Sequence, residues 1–128
     1  MTSLLLDTQA LLWLLGDNPR MGPRSRALIA SADGVHYSAA SVWEIRIKSA
    51  LGKLRIDGDL ASSLGAARLR ELPITVGHAL AVPAVELPHR DPFDRMLLTQ
   101  AVTEGMAFLT ADAVLLGLGR GGILDARE

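Results

Sequence analysis

Short apolar runs recur along the chain. Between them lie longer stretches in which apolar residues return every three or four positions. Residues 3–7 carry Leu4, Leu5 and Leu6 in succession and read as a short buried strand. An apolar stretch follows over 9–15 and ends at Gly16, with Asp17-Asn18-Pro19 as a turn signal. Residues 23–30 predict a helix with Pro23 at its first position. Val35-His36-Tyr37 reads as a second strand. Ser38 or Ser41 caps the helix after it, and Gly52 ends that helix.

Residues 54–56 read as extended or irregular. A helix then begins at Asp57 or Asp59 and runs to about Arg70. Leu72-Pro73-Ile74 predicts a weak strand, placed at a sheet edge by its proline. Residues 78–85 read as a short helix interrupted near Pro83. Asp91-Pro92 opens a strong helix that reaches Glu104 and stops at Gly105. A strand over 107–109, one or two helical turns over 112–116 and a last strand at Ile123-Leu124 complete the pattern. Strands alternating with helices predict an α/β/α sandwich built on a central parallel sheet. The Gly-rich stretch 117–122 does not follow a strand in the manner of a dinucleotide-binding turn and reads as a loop.

At 128 residues the chain has the length of one domain, and 49% hydrophobic residues are enough for a real core. Charged residues are few at 21%, and mean hydropathy is +0.27. Both fit either an apolar face kept for a partner or a small domain rich in Ala and Leu. The absence of Cys excludes disulfides and thiolate zinc sites. No signal-peptide pattern stands at the N-terminus, and the apolar run 10–15 is too short to cross a bilayer, so a soluble cytoplasmic protein is expected. The net charge of −1, from 13 basic and 14 acidic residues, argues mildly against a nucleic-acid binder. Three basic groups soften that argument: Arg46, Lys48, Lys53 and Arg55; Arg20, Arg24 and Arg26; Arg68 and Arg70. They form either a basic rim around an acidic centre or ordinary solvated helix faces.

Four acids carry the chemistry. Asp7 and Asp112 follow apolar strands, Glu44 lies just past the 35–37 strand, and Asp94 opens the 92–104 helix. Carboxylates at the carboxyl ends of parallel strands meet at the edge where α/β sheets place their sites. Several of them together repel unless a hard cation lies among them, and Mg²⁺ and Mn²⁺ prefer oxygen ligands. The motifs fix no basic residue among these acids. Each acid also has a structural alternative. Asp7 and Asp112 can be N-caps. Ser41-Val42-Trp43-Glu44 is a capping box if the helix starts at Ser41, whereas a start at Ser38 frees Glu44. Asp91, before Pro92, is the natural cap of its helix, which leaves Asp94 in the first turn for the metal, with a direct or water-mediated role for Asp91 still open. His36, His78 and His89 read as structural, and His89 is the one close in sequence to the acids.

These residues match a family over nearly the whole chain. Leu5-Leu6-Asp7-Thr8-Gln9-Ala10-Leu11-Leu12-Trp13, Ser38-Ala39-Ala40-Ser41-Val42-Trp43-Glu44-Ile45-Arg46-Ile47-Lys48, Gly52-Lys53-Leu54, Leu72-Pro73-Ile74, His89-Arg90-Asp91-Pro92-Phe93-Asp94-Arg95-Met96-Leu97 and Leu109-Thr110-Ala111-Asp112 occur in order. The chain resembles the PIN-domain endoribonucleases, and among them the VapC-type toxins of prokaryotic toxin–antitoxin pairs. The resemblance implies one PIN-like nuclease domain over residues 1–128 and a catalytic acidic quartet of Asp7, Glu44, Asp94 and Asp112. It implies Mg²⁺ or Mn²⁺ as cofactor, RNA as substrate, a cognate antitoxin and a homodimer. Asp7 and Asp94 are the primary metal ligands on this reading. Glu44 and Asp112 hold a second ion or the waters of the first, and Thr110 hydrogen-bonds a ligand or a phosphate oxygen. Similar sequences often carry an aromatic residue after the last Asp, where this chain has Leu115-Leu116-Gly117.

Two other readings compete. A catalytically silent PIN-fold binding module would be favoured by a missing acid, and none is missing. A receiver-type aspartyl-phosphate domain needs an acidic pair after its first strand and a late Lys, but Thr8 follows Asp7 and the last Lys is Lys53. A surplus of apolar groups is also expected on two helices. Leu11, Leu12, Trp13 and Leu15 crowd one, and Trp43, Ile47 and Leu51 form a stripe on another, followed by Leu54 and Ile56. Such a surplus would make a groove for an antitoxin helix; the alternative is that both stripes are core.

Overall fold

In the computed structural model, residues 2–84 and 91–128 are described. Among them, five strands form one wholly parallel sheet in the order β3-β2-β1-β4-β5. The strands are β1 (Ser3–Leu6), β2 (Gly34–Ser38), β3 (Arg70–Leu72), β4 (Ala107–Thr110) and β5 (Ile123–Asp125). The helices are α1 (Thr8–Leu15), α2 (Pro23–Ser31), α3 (Ala39–Ala50), α4 (Leu60–Ala66), α5 (Val76–Ala81), α6 (Pro92–Glu104) and α7 (Ala113–Leu116), with a 3₁₀ turn at Val82–Ala84.

The middle of the sheet explains the Leu run. Leu4, Leu5 and Leu6 are fully buried because β1 has strands on both edges and helices on both faces. Successive side chains on a strand point to opposite faces. Leu5 and Phe108 accordingly pack with Leu97, Leu98 and Ala101 of α6. Leu6 and Leu109 pack the other way, with Leu11 and Trp13 of α1, Ile45 of α3 and Leu64 of α4. This is the expected sandwich.

The chain leaves β1 toward β2 and β3 on one side, then returns to β4 and β5 on the other. The switch of direction lies between β1 and β4, and the crevice for a ligand opens beyond the carboxyl ends of those two strands.

Three boundaries depart from the sequence pattern. The helix expected to reach Arg70 stops at Ala66, because Arg68 takes a left-handed backbone (φ 57°) that no helix continues through. The chain then joins the sheet at Arg70–Leu72, opposite His36, Tyr37 and Ser38. The third strand thus lies before Pro73 rather than across it, since proline has no N–H to extend the ladder; its edge position is as expected. The short helix expected over 78–85 begins earlier, at Val76. His78 does not open it but sits inside its first turn, where its ring and the Thr75 hydroxyl cap each other's backbone N–H groups. Val85 and His89 lie outside the described residues. His78 is buried, with Nε2 2.8 Å from Glu104, and His36 places Nδ1 3.1 Å from the Leu4 carbonyl, so both have the structural roles expected.

Candidate active site

A cavity of about 640 Å³ opens at the carboxyl edge of the sheet. Asp7, Glu44, Asp91, Asp94 and Asp112 line it, with Arg20, Lys48, Lys53 and Arg127 around them. All four acids singled out in the sequence are therefore gathered, together with Asp91. The basic rim exists in part: Arg46 and Arg55 instead line a second groove of about 670 Å³, between α3 and α4, whose one carboxylate is Asp59.

Asp7 is the first residue beyond β1, and its N–H still bonds the Leu109 carbonyl of β4. Its side chain has two tasks. Oδ1 accepts the Ala10 N–H at 2.7 Å and so caps α1, while Oδ2 accepts the Thr110 hydroxyl at 2.5 Å. The cap alternative and the cavity position are both true of this residue. Burial, with the nearby charges of Asp112 and Glu44, outweighs those two hydrogen bonds and raises its pKa to about 6.

Asp112 likewise faces the cavity while capping α7 through the Val114 and Leu115 N–H groups. The Thr110 hydroxyl accepts the Asp112 N–H at 3.0 Å. Thr110 thus ties Asp7 to Asp112 across the ends of β1 and β4.

Glu44 is settled by where its helix starts. Ser38 is the N-cap of α3, its hydroxyl accepting the Ala40 N–H, so Glu44 falls in the second turn and no Ser41 capping box forms. The Glu44 carboxylate is buried, and the Thr8 hydroxyl donates to Oε1 at 2.6 Å. Lys48, one turn further along α3, places Nζ 2.5 Å from Oε2. That pair overturns one expectation, since a basic residue is fixed among the acids after all. The i, i+4 spacing was the available signal. Thr8 has a weaker signal, a hydroxyl directly after the first acid.

Asp91 caps α6, accepting the Phe93 and Asp94 N–H groups, and still lines the cavity. Asp94, in the first turn, is half-buried. Burial and then the charges of Asp91, Asp112, Asp7 and Glu44 raise its pKa to about 7.

The donor set fits a hard divalent cation. It offers five carboxylates at one cavity, and two of them are raised partly by mutual repulsion. Among the described residues, no three acidic or histidine side chains are already set to hold an ion. The fit is one of donor chemistry and charge.

Fold and site together define an α/β domain with an acidic centre at the carboxyl edge of a parallel sheet. A family model for the PIN domain matches residues 4–120, and the chain belongs to that family. Similar solved structures cover nearly the whole chain. One is VapBC2 from Rickettsia felis bound to a DNA fragment from its promoter, with TM-score 0.68 and 13% identity over 97% of each chain. A second is a toxin–antitoxin complex from Klebsiella pneumoniae, with TM-score 0.64 and 18% identity over 94% of each chain. A third is DNA-bound VapBC from Salmonella typhimurium, with TM-score 0.61 and 20% identity over 98% of this chain and 97% of that one. At such identities the likeness is one of fold. No curated protein matches the chain in sequence.

Proposed function

We propose that the chain is a divalent-metal-dependent endoribonuclease that acts in the cytoplasm as the toxin of a toxin–antitoxin pair. The observation that carries this reading is the convergence of Asp7, Glu44, Asp94 and Asp112 on one cavity at the carboxyl edge of the sheet. Membership of the PIN family and the likeness to toxin–antitoxin complexes support it.

Asp7 and Asp94 would hold a Mg²⁺ or Mn²⁺ ion, with Glu44 and Asp112 completing the quartet. When bound, the ion supplies Lewis-acid stabilisation of the charge that builds on the phosphate. The chain's own residues do the rest. Thr110 fixes the Asp7 carboxylate and Thr8 that of Glu44. Lys48, Lys53, Arg20 and Arg127 draw the RNA backbone to the mouth of an otherwise acidic cavity.

The partner surface is α3. Trp43 is 61% exposed and Leu51 64%, with Ile47 between them, whereas Trp13 on α1 is core at 7%. An antitoxin helix would lie along the α3 stripe. Val76 and Leu80, exposed one turn apart on α5, offer a face for the second copy of a homodimer.

The test is cleavage of a labelled single-stranded RNA by the purified chain with Mn²⁺ or Mg²⁺, against an EDTA control. Asp7→Asn and Asp94→Asn are expected to lower the rate at least about a hundredfold, since each removes a ligand charge while keeping shape. Near-wild-type cleavage by either variant at saturating ion defeats the metal assignment. A wild type that binds an antitoxin but cuts nothing favours the silent binding module.

A further inference from the structure

Lys48 is a positive charge that the chain itself places in the acidic cavity. Its ammonium meets Oε2 of a Glu44 side chain that is only 6% exposed, while the Thr8 hydroxyl takes Oε1. Lys48 is also within the field of Asp91 and Asp94. Asp7 and Asp112 are held differently: backbone N–H groups, and for Asp7 the Thr110 hydroxyl, contact them. Such neutral donors orient a carboxylate and leave its charge in place for a cation. A full ammonium cancels that charge. Of Asp7, Glu44 and Asp112, Glu44 is therefore the acid whose negative charge is met by an ammonium of the chain itself.

We propose that Lys48 stands in for a second metal ion. It keeps Glu44 out of direct ligation, so that the cavity takes one divalent ion on the Asp7 side, and its ammonium is the second cation facing the RNA phosphate. The proposal rests on the metal-dependent reading above. A second ion beside Glu44 would have to break the Lys48 contact and then sit next to the displaced ammonium. Both steps disfavour it. A lysine suits the substitute role, because its compact point charge keeps two further N–H donors for a phosphate while one engages Glu44.

Mn²⁺ titration calorimetry on the full chain, with bound ions counted by electron paramagnetic resonance, tests this without measuring activity. Wild type and Lys48→Arg are expected to bind one ion per chain. Lys48→Met is expected to bind two, the first about tenfold more tightly, because the repelling charge is gone and Glu44 is released. Two ions in wild type, or one in Lys48→Met, overturns the proposal and leaves the nuclease reading standing. No ion in any of the three defeats both. Should Lys48→Met fail to fold by circular dichroism, the double variant Lys48→Met/Glu44→Gln decides, because it leaves the charge of the cavity unchanged. One ion at an affinity within about tenfold of wild type supports the proposal, and a loss beyond about tenfold identifies Glu44 as a direct ligand and overturns it.

Discussion

Replacing Asp7 by Asn should stabilise the metal-free protein at neutral pH and above, although Asp7 caps a helix. Burial raises the Asp7 pKa from 3.8 to about 6. Between those values the folded chain keeps a proton that the unfolded chain has released, so stability falls as pH rises through that window and stays low above it. At ~1.4 kcal/mol per pH unit, the rise amounts to about 3 kcal/mol of destabilisation above pH 7. Asn removes that cost. It keeps the cap, since its carbonyl accepts the Ala10 N–H as Oδ1 now does. It loses the best acceptor for the Thr110 hydroxyl, at about 1.5 kcal/mol. The net gain is about 1.5 kcal/mol, or ~5 °C in melting temperature for a chain of this size.

The assay is thermal melting in EDTA from pH 4 to pH 8. At pH 8 the variant should melt above wild type. At pH 4 Asp7 is protonated in the folded chain and about half ionised in the unfolded one, so most of the penalty is gone and the order should reverse by about 1 kcal/mol, because the lost Thr110 contact outweighs what is left. Adding Mn²⁺ at pH 8 should raise wild type far more than the variant. A variant that melts below wild type at pH 8 in EDTA, or a difference that ignores pH, refutes the reasoning and makes Asp7 a structural acceptor.

The two tryptophans should separate. Trp13→Ser should cost about 3–5 kcal/mol by opening the core beside Leu6 and Ile45. Trp43→Ser should cost about 1 kcal/mol, mostly its edge-on contact with Phe93 at 5.4 Å between ring centres, while weakening antitoxin capture in a pull-down; equal loss of fold in both variants would contradict the α3 surface. His78→Ala should lower stability by about 2–4 kcal/mol, leaving a cavity and freeing the Thr75 N–H and Glu104. It should leave RNA cleavage at a permissive temperature unchanged, and a selective loss of cleavage would give this histidine a role at the site.

What was legible in the sequence divides along physical lines. The sandwich, the parallel sheet and the buried first strand follow from periodicity, because Leu4 to Leu6 admit no solvent-facing side. The gathering of the acids follows from topology, since residues after β1, after β4 and on helices that follow strands meet at one edge. The stretch from 66 to 74 departs from its pattern because its outcome depends on Arg68 adopting a left-handed backbone, a tertiary choice that arginine does not announce. The start of α3 was ambiguous because Ser38 and Ser41 are both good caps. Packing decided it: the Ser41 hydroxyl lies 3.0 Å from that of Thr8 and is not left to cap.

The cap-or-ligand alternatives resolve in a common way. Asp7, Asp91 and Asp112 each cap a helix and each line the cavity. A helix N-terminus favours a carboxylate by about 0.3–1 kcal/mol from its dipole and about 1 kcal/mol from the cap hydrogen bond. Packing three such acids together with Asp94 works against folding, since burial first and mutual repulsion after it raise the pKa values of Asp7 and Asp94. The caps therefore hold these charges in a place that electrostatics alone would empty. In a chain built this way, substitutions at the caps cannot be read from activity alone. A lost cap lowers stability, a relieved charge raises it, and only melts taken with and without the ion separate the two.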